Sequence, residues 1–387
     1  MKRRLHRKLP FAGIILVSFL IVLSGCFLTF RYGEYLTCFT GKCALLSMPE
    51  ALYAEIYNFK IRLLKKIDTH NHNEDGISVQ KNGSIGQIEE NRQFRDLTVT
   101  PDDIKENELI LYNDFIADYT PDGTVIEKTY ISYQATDSAE NVYVRNVTAG
   151  TEIDVAELLE KGCTIPVNDI SEPVVLICHT HSTESYNPCD NGKFATEYPE
   201  RNNNTDVSVV RVGEEIAAVL TARGIGVIHD RTVYDTVYTG AYDKSRKGIT
   251  EILEKYPSIV ITVDVHRDAI HQDSKTRVKP VADINGVRAA QIMFITGAQG
   301  GNVDSFPSWK TNLSFAINLH KKVNTEYENL MKPIYFCNRK YNMDLTPYSI
   351  VAEIGTDMNT LSEAAYSGRL FGDALAEFIK ENVKINE

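Results

Sequence analysis

The chain has 387 residues and a formal net charge of −11, long enough for a sizeable core and more than one domain. That acidic balance argues against non-specific nucleic-acid binding, which needs a basic face. Seven cysteines, an odd number with no C-x-x-C pair, exclude a disulfide framework, so mostly free thiols are expected.

The amino terminus, MKRRLHRKLP, is basic and precedes an apolar run from Phe11 to Phe30. The run sits at the lower end of what spans a bilayer, and its basic flank keeps the amino-terminal side in the cytoplasm. Residues 1–30 therefore read as a membrane anchor, with everything after them extracytoplasmic. Leu23-Ser24-Gly25-Cys26 resembles a bacterial lipobox, in which Cys26 is lipidated; an uncleaved signal-anchor helix is the preferred reading. Residues 31–99 read as a juxtamembrane segment, with an amphipathic helix around 51–67, and a flexible linker. Residues 68–95 are too polar to offset the entropy of ordering. His70 and His72 lie in that stretch with no strand beneath them, which argues against a metal role.

Within residues 100–170, ELILYNDF, TVIEKTYISY and NVYVRNVT alternate in strand fashion around a Thr120-Pro121-Asp122-Gly123 turn. This predicts a small β-rich segment without chemistry of its own, followed by a short helix over 154–161. From 171 to 387, strands and helices alternate. Strands are expected at Val174–Cys178, Ile225–Asp230, Ser258–Val265, Ala289–Thr296 and Ser349–Ile354. Helices are expected at Val207–Arg223, Lys244–Lys255, Trp309–Tyr327 and Asn359–Lys380. That order implies an α/β domain with a mostly parallel sheet and helices on both faces.

Three of those strands end in reactive side chains. The first delivers His179, His181 and Glu184, the strand over 258–265 delivers His266, and VAEIG carries Glu353. Ligands gather beyond the carboxyl ends of strands in open α/β sheets. A catalytic Zn²⁺ site needs three such protein ligands, an open position and a nearby carboxylate that is not a ligand. Glu353 fits that last role as a proton carrier, since a carboxylate on an apolar strand needs a partner. Arg267 is a candidate for stabilising an oxyanion. The plainer alternatives are a His266 held by Asp264 or Asp268 and a Glu353 paired with Arg267 or Arg339. No G-x-S-x-G, P-loop or G-x-G-x-x-G is present, so serine-hydrolase and nucleotide-binding readings lack support.

HTHSTESY, VVRVGEEIAAVL with GIGVIHD, VDVHRDA, WKTNLSFA and RKYNMDLTPYSIVAEIGTDMNTLSEA together resemble the stage II sporulation protein P family, over roughly residues 100–383. The resemblance implies a membrane-anchored cell-wall hydrolase acting in engulfment during endospore formation. It also implies endopeptidase activity at the same site and two partners, a sporulation lytic transglycosylase and a recruiting membrane protein. The catalytic half is similar to the zinc N-acetylmuramoyl-L-alanine amidases. That similarity puts a ligand histidine at His181, a second at His266, the catalytic glutamate at Glu353 and a following substrate-binding asparagine at Asn359. One departure stands out: the glutamate ligand that opens the next helix in those amidases is absent from Asn202–Asp206. Glu184 is the favoured third ligand and Asp206 the alternative. His179 either orients the site or replaces His181. The rival functions are a metal-dependent phosphoesterase and a silent wall-binding scaffold that recruits partner hydrolases.

Overall fold

A computed structural model describes residues 96–385. The chain divides into two units, 1–84 and 85–387, and the described residues fall in the second. The expected anchor, Cys26, the linker and the His70/His72 pair lie outside the described residues.

The first element is a helix, α1 (Asp102–Asp118), where alternation predicts a strand through ELILYNDF. Pro101 precedes it, Asp102 and Asp103 occupy its first turn, and Ile104, Leu111 and Phe115 are buried along it. Acids in the first turn favour a helix amino terminus, and the spacing of those three is helical. Then come β1 (Gly123–Lys128), β2 (Asp137–Ala139), β3 (Val142–Asn146), α2 (Val155–Lys161), β4 (Ile165–Val167), β5 (Pro173–Cys178) and β6 (Lys193–Phe194). A short 3₁₀ turn at Thr205–Val207 leads into α3 (Val209–Ala222), whose cap, Ser208, accepts from the Val210 amide. Next are β7 (Gly226–His229), α4 (Ala241–Lys255), β8 (Ile261–Asp268), β9 (His271–Asp273), β10 (Thr276–Ile284), β11 (Val287–Ala290) and β12 (Ile292–Gly297). The chain closes with α5 (Trp309–Glu326), β13 (Ile334–Cys337), β14 (Tyr348–Thr356), α6 (Leu361–Asn382) and β15 (Val383–Ile385). A capping box between Thr360 and Glu363 starts α6, satisfying two otherwise orphaned amides.

The main sheet has eight strands in the order β2-β3-β13-β12-β14-β8-β5-β7. It is mixed, not mostly parallel. Strands β7, β5, β8 and β14 form one parallel block, β12, β13 and β3 another, and β12 meets β14 antiparallel. The physical reason is a connection. β13 leads to β14 through a loop without a helix, and a short loop cannot make the crossover that a parallel return requires. A second, five-stranded sheet has the order β11-β10-β1-β6 with β9 on β10. The stretch expected to form one strand at 289–296 is two, β11 and β12, and the Asn285-Gly286 turn joins β10 to β11 with positive φ at both residues. Nor does 100–170 stand apart. β3 extends the main sheet beside β13, and β1 pairs with β10.

One face of the main sheet is covered by α3, α5 and α6, which bury Val212, Ile216, Leu313 and Phe371 against Ile177, Val263, Phe294 and Ala352. The other face is covered by α4, with Ile249 on Leu176 and Cys178, and by Phe306 and Met343 on Val351 and Ile295. Among the described residues no helix is long and apolar enough to cross a membrane. Among the described residues, Cys163, Cys178 and Cys337 are free thiols.

Candidate active site

The loop after β5 separates its two histidines. His179 continues the strand's alternation toward α3. Its Nδ1 donates to the Val265 carbonyl at 3.1 Å, which leaves Nε2 to accept from His229 Nε2 at 2.9 Å. Both rings fit only because residue 213 is glycine: a Cβ there would lie 2.5 Å from His179. Burial pushes the His179 pKa down to about 4. This is a neutral structural pair, so His179 is not brought to the other candidate ligands. The chain then turns, with the Glu184 amide donating to the His181 carbonyl at 3.1 Å, and the period of two ends there.

That turn places His181 and Glu184 beside His266 on β8. Glu184 Oε1 is 3.4 Å from His181 Nδ1, and Glu184 Oε2 is 3.3 Å from His266 Nδ1. All three residues are buried, and one donor atom from each lies within 4.8 Å of the others. Two imidazoles and a carboxylate so arranged can hold a divalent metal such as Zn²⁺. The sequence-based alternative Asp206 is elsewhere, on an exposed turn paired with Arg231 at 3.2 Å.

The surroundings pin this set. Asp264, two residues before His266 and thus on the same face of β8, sits 3.0 Å from His266 Nε2, too oblique for a well-formed hydrogen bond. Asp264 also accepts from the Thr180 amide at 2.8 Å and hydroxyl at 2.6 Å. Arg201 donates to Glu184 Oε1 at 3.3 Å and to Asp235. Tyr238, an exposed residue, stacks on His181 with ring centroids 4.9 Å apart. Burial disfavours charge on His266, yet Asp264 and then Glu184 hold its pKa well above the usual value. Burial likewise opposes Glu184, whose carboxylate is held well below the usual range by His181 and His266. The field of two carboxylates that retains a proton on His266 would equally retain a metal cation.

Glu353 lies beside His266, its in-register neighbour on β14. Its Oε2 is buried without a hydrogen-bond partner, and neither Arg267 nor Arg339 pairs with it among the described residues. Burial, with Asp268 and Glu184 adding to it, pushes the carboxyl up to about 8 against the pull of His266. A bulge follows at once, centred on Gly355 at φ +72°, where a Cβ would meet Asn359 and Ala290 within 3 Å. Such bulges re-aim a strand next to a site. Glu353 opens onto a cleft of about 430 Å³ whose lining includes Met293, Ile295, Tyr335, Lys332 and Arg145.

Two further expected site residues, Arg267 and Asn359, make structural contacts in this arrangement. The Arg267 guanidinium donates to the carbonyls of Ser185 at 3.0 Å and Glu200 at 2.7 Å, while its amide donates to Glu184 Oε2 at 3.2 Å. It clamps the loop that carries Glu184. Asn359 is fully buried, accepting from the Thr356 amide at 2.9 Å and donating to Pro280 and Glu363. It locks the turn into α6 and does not reach the cleft. Asp264 was legible as a partner from the D-V-H spacing; Arg201 and Tyr238, brought in by long loops, carried no local signal.

The family model described as stage II sporulation protein P matches residues 66–376. The chain belongs to the stage II sporulation protein P family. The family's member in Bacillus subtilis (strain 168) is 28% identical over 225 residues, 55% of this chain and 53% of that protein. The chain thus spans about half the length of the curated relative it matches. Among solved structures, the N-acetylmuramoyl-L-alanine amidase AmiC2 of Nostoc punctiforme is 12% identical, covering 55% of this chain and 98% of that one at a TM-score of 0.32. The CwlD amidase of Clostridioides difficile, solved in complex with the GerS lipoprotein, is 12% identical over 54% and 99% of the two chains at a TM-score of 0.34.

Proposed function

We propose that this chain is a metal-dependent peptidoglycan hydrolase that cleaves the amide between N-acetylmuramic acid and the stem peptide, with endopeptidase activity on cross-links at the same site. The observation that carries the proposal is a buried His181–Glu184–His266 set beside an unpaired carboxyl, Glu353, at the head of an open cleft. The donor chemistry suits Zn²⁺, and Asp264 stands where an orienting carboxylate is found behind a metal-binding histidine. Bound there, the ion would polarise the scissile carbonyl and lower the pKa of water. Glu353 takes a proton from the attacking water as the carbon–oxygen bond forms. It returns that proton to the leaving nitrogen as the carbon–nitrogen bond breaks. Burial raises the Glu353 pKa above the ordinary carboxylate range, toward the range in which one carboxyl can serve in both transfers.

The apolar run at 11–30 serves in this proposal as the anchor that holds the enzyme at the extracytoplasmic face of the membrane. A sporulation lytic transglycosylase and a recruiting membrane protein are its proposed partners. The test uses the full-length chain: bound metal is measured, purified peptidoglycan is digested, and products are identified by mass. We expect about one zinc per chain by the three-ligand rule and new amino-terminal L-alanine. Glu353→Gln should lower the rate by about 10²–10⁴-fold while retaining the metal. Wall binding without any bond cut would sink the enzyme reading and leave the scaffold.

A further inference from the structure

The sheet continues past Glu353 in a way the catalytic residues leave unexplained. His266, Glu353 and Met293 are in-register neighbours across β8, β14 and β12. Ile295, Tyr335 and Arg145 form the next row, across β12, β13 and β3. Met293 and Ile295 are two residues apart on one strand, so both rows lie on one face. All of these but His266 line the cleft.

Arg145 stands three strands from Glu353, about 14 Å at the usual inter-strand spacing. An extended peptide of about four residues covers that span. The floor between is apolar, and Tyr130 and Tyr335 stand along it. The other lysine or arginine in the cleft lining, Lys332, is already neutralised by Asp268 at 2.8 Å. The half-buried Arg145 lies with its guanidinium carbon 5.5 Å from the Tyr335 ring centroid, and that guanidinium makes no hydrogen bond or ion pair with any described residue. An arginine near a sheet edge is ordinarily just solvated. This one is held against a ring at the end of a substrate-sized cleft, its side-chain donors unpaired among the described residues, and a guanidinium in that setting matches a carboxylate in bidentate fashion.

We infer that Arg145 is a specificity-determining anchor for a carboxylate of the substrate peptide, about four residues from the scissile bond, and that β3 with the Thr129–Gln134 loop builds the far wall of the cleft. The inference rests on the proposed peptidoglycan reading for its substrate class. The segment 100–170, expected to carry no chemistry, thereby supplies substrate recognition.

The test compares two soluble muramoyl tetrapeptides that differ only in the carboxylate on the fourth residue, free in one and a carboxamide in the other. Binding and hydrolysis are each measured with the full-length wild type, Arg145→Ala and Arg145→Lys. The wild type should prefer the carboxylate form. Arg145→Ala should raise Kd and KM for that form by about 10- to 100-fold, the worth of a charged hydrogen-bond pair, leaving kcat and the carboxamide form nearly unchanged. Arg145→Lys should fall between, and it carries the comparison if the alanine variant melts early. Equal losses on both forms, or a wild type without preference, would overturn the anchor while any cleavage kept the amidase reading. Arg145-dependent binding with neither peptide cleaved would keep the anchor and sink the amidase reading. No binding and no cleavage would sink both.

Discussion

Replacing Asp264 with asparagine is the sharpest probe of the ligand set, because it changes charge with little change in shape. Asp264 is buried, lies 3.0 Å from His266 Nε2, and accepts two hydrogen bonds from Thr180. Removing the carboxylate behind a metal-binding histidine lowers metal affinity by about 10- to 100-fold, or about 1.4–2.7 kcal/mol. The upper end is expected here. Thr180 adjoins His181, so one substitution perturbs two of the three donors: an amide must donate to the Thr180 hydroxyl where the carboxylate accepts from it. The assay is competition for Zn²⁺ between the full-length chain and a chromophoric chelator, with melts of the metal-free proteins run in parallel. A Zn²⁺ affinity within about twofold of wild type, together with a lowered melting temperature, would show that Asp264 only supports the fold.

Two further expectations concern buried histidines. Gly213→Ala gains about 1 kcal/mol of helix propensity. Against that, its Cβ overlaps His179 and His229, and overpacking with loss of their hydrogen bond costs about 2–4 kcal/mol. Chemical denaturation should therefore show a net loss, and a variant as stable as wild type would refute this packing. His320, fully buried with Nε2 on the Lys332 carbonyl at 3.1 Å, has its pKa pushed down to about 4 by burial. The unfolded chain takes up its proton first, so stability is lost as pH falls from about 6.5 toward 4 and is flat below that. At pH 5 the loss from this one group is about 2 kcal/mol. His320→Gln should remove that slope, and parallel stability–pH curves for the two proteins would contradict it.

The buried strands were legible because each is a continuous apolar run, and the H-x-H after β5 leads to the sheet edge where His181, Glu184 and His266 come together. What alternation alone misjudged was α1. Leu109 to Leu111 and Phe115 read as a strand, yet Pro101 followed by two aspartates was a helix-start signal in plain view. Similarly, the Asn285-Gly286 pair announced the β10–β11 hairpin. The direction of β14 relative to β12 is not written locally; it follows from which strands the loops can reach. The same holds within the site. His179 and His181 are indistinguishable as letters, and only the turn after Thr180 sends one to α3 and the other to Glu184. Arg145 drew no notice because its significance lies in its pairing with Tyr335 on β13, a strand far along the chain.

The start of the described chain is unusually well fastened. Arg369 Nε donates to the Leu97 carbonyl at 2.8 Å, Arg211 pairs with Asp103 at 2.9 Å, and Glu108 accepts from the Ser362 amide at 2.7 Å. Arg211 and Arg369 meet on the same buried carboxylate, Glu215. A pull applied at residue 96 would therefore load α3 and α6 in shear through several charged contacts at once, and the strands that carry His266 and Glu353 would bear little of it. Under the anchored reading proposed above, tension at the amino-terminal end would leave His266 and Glu353 in register.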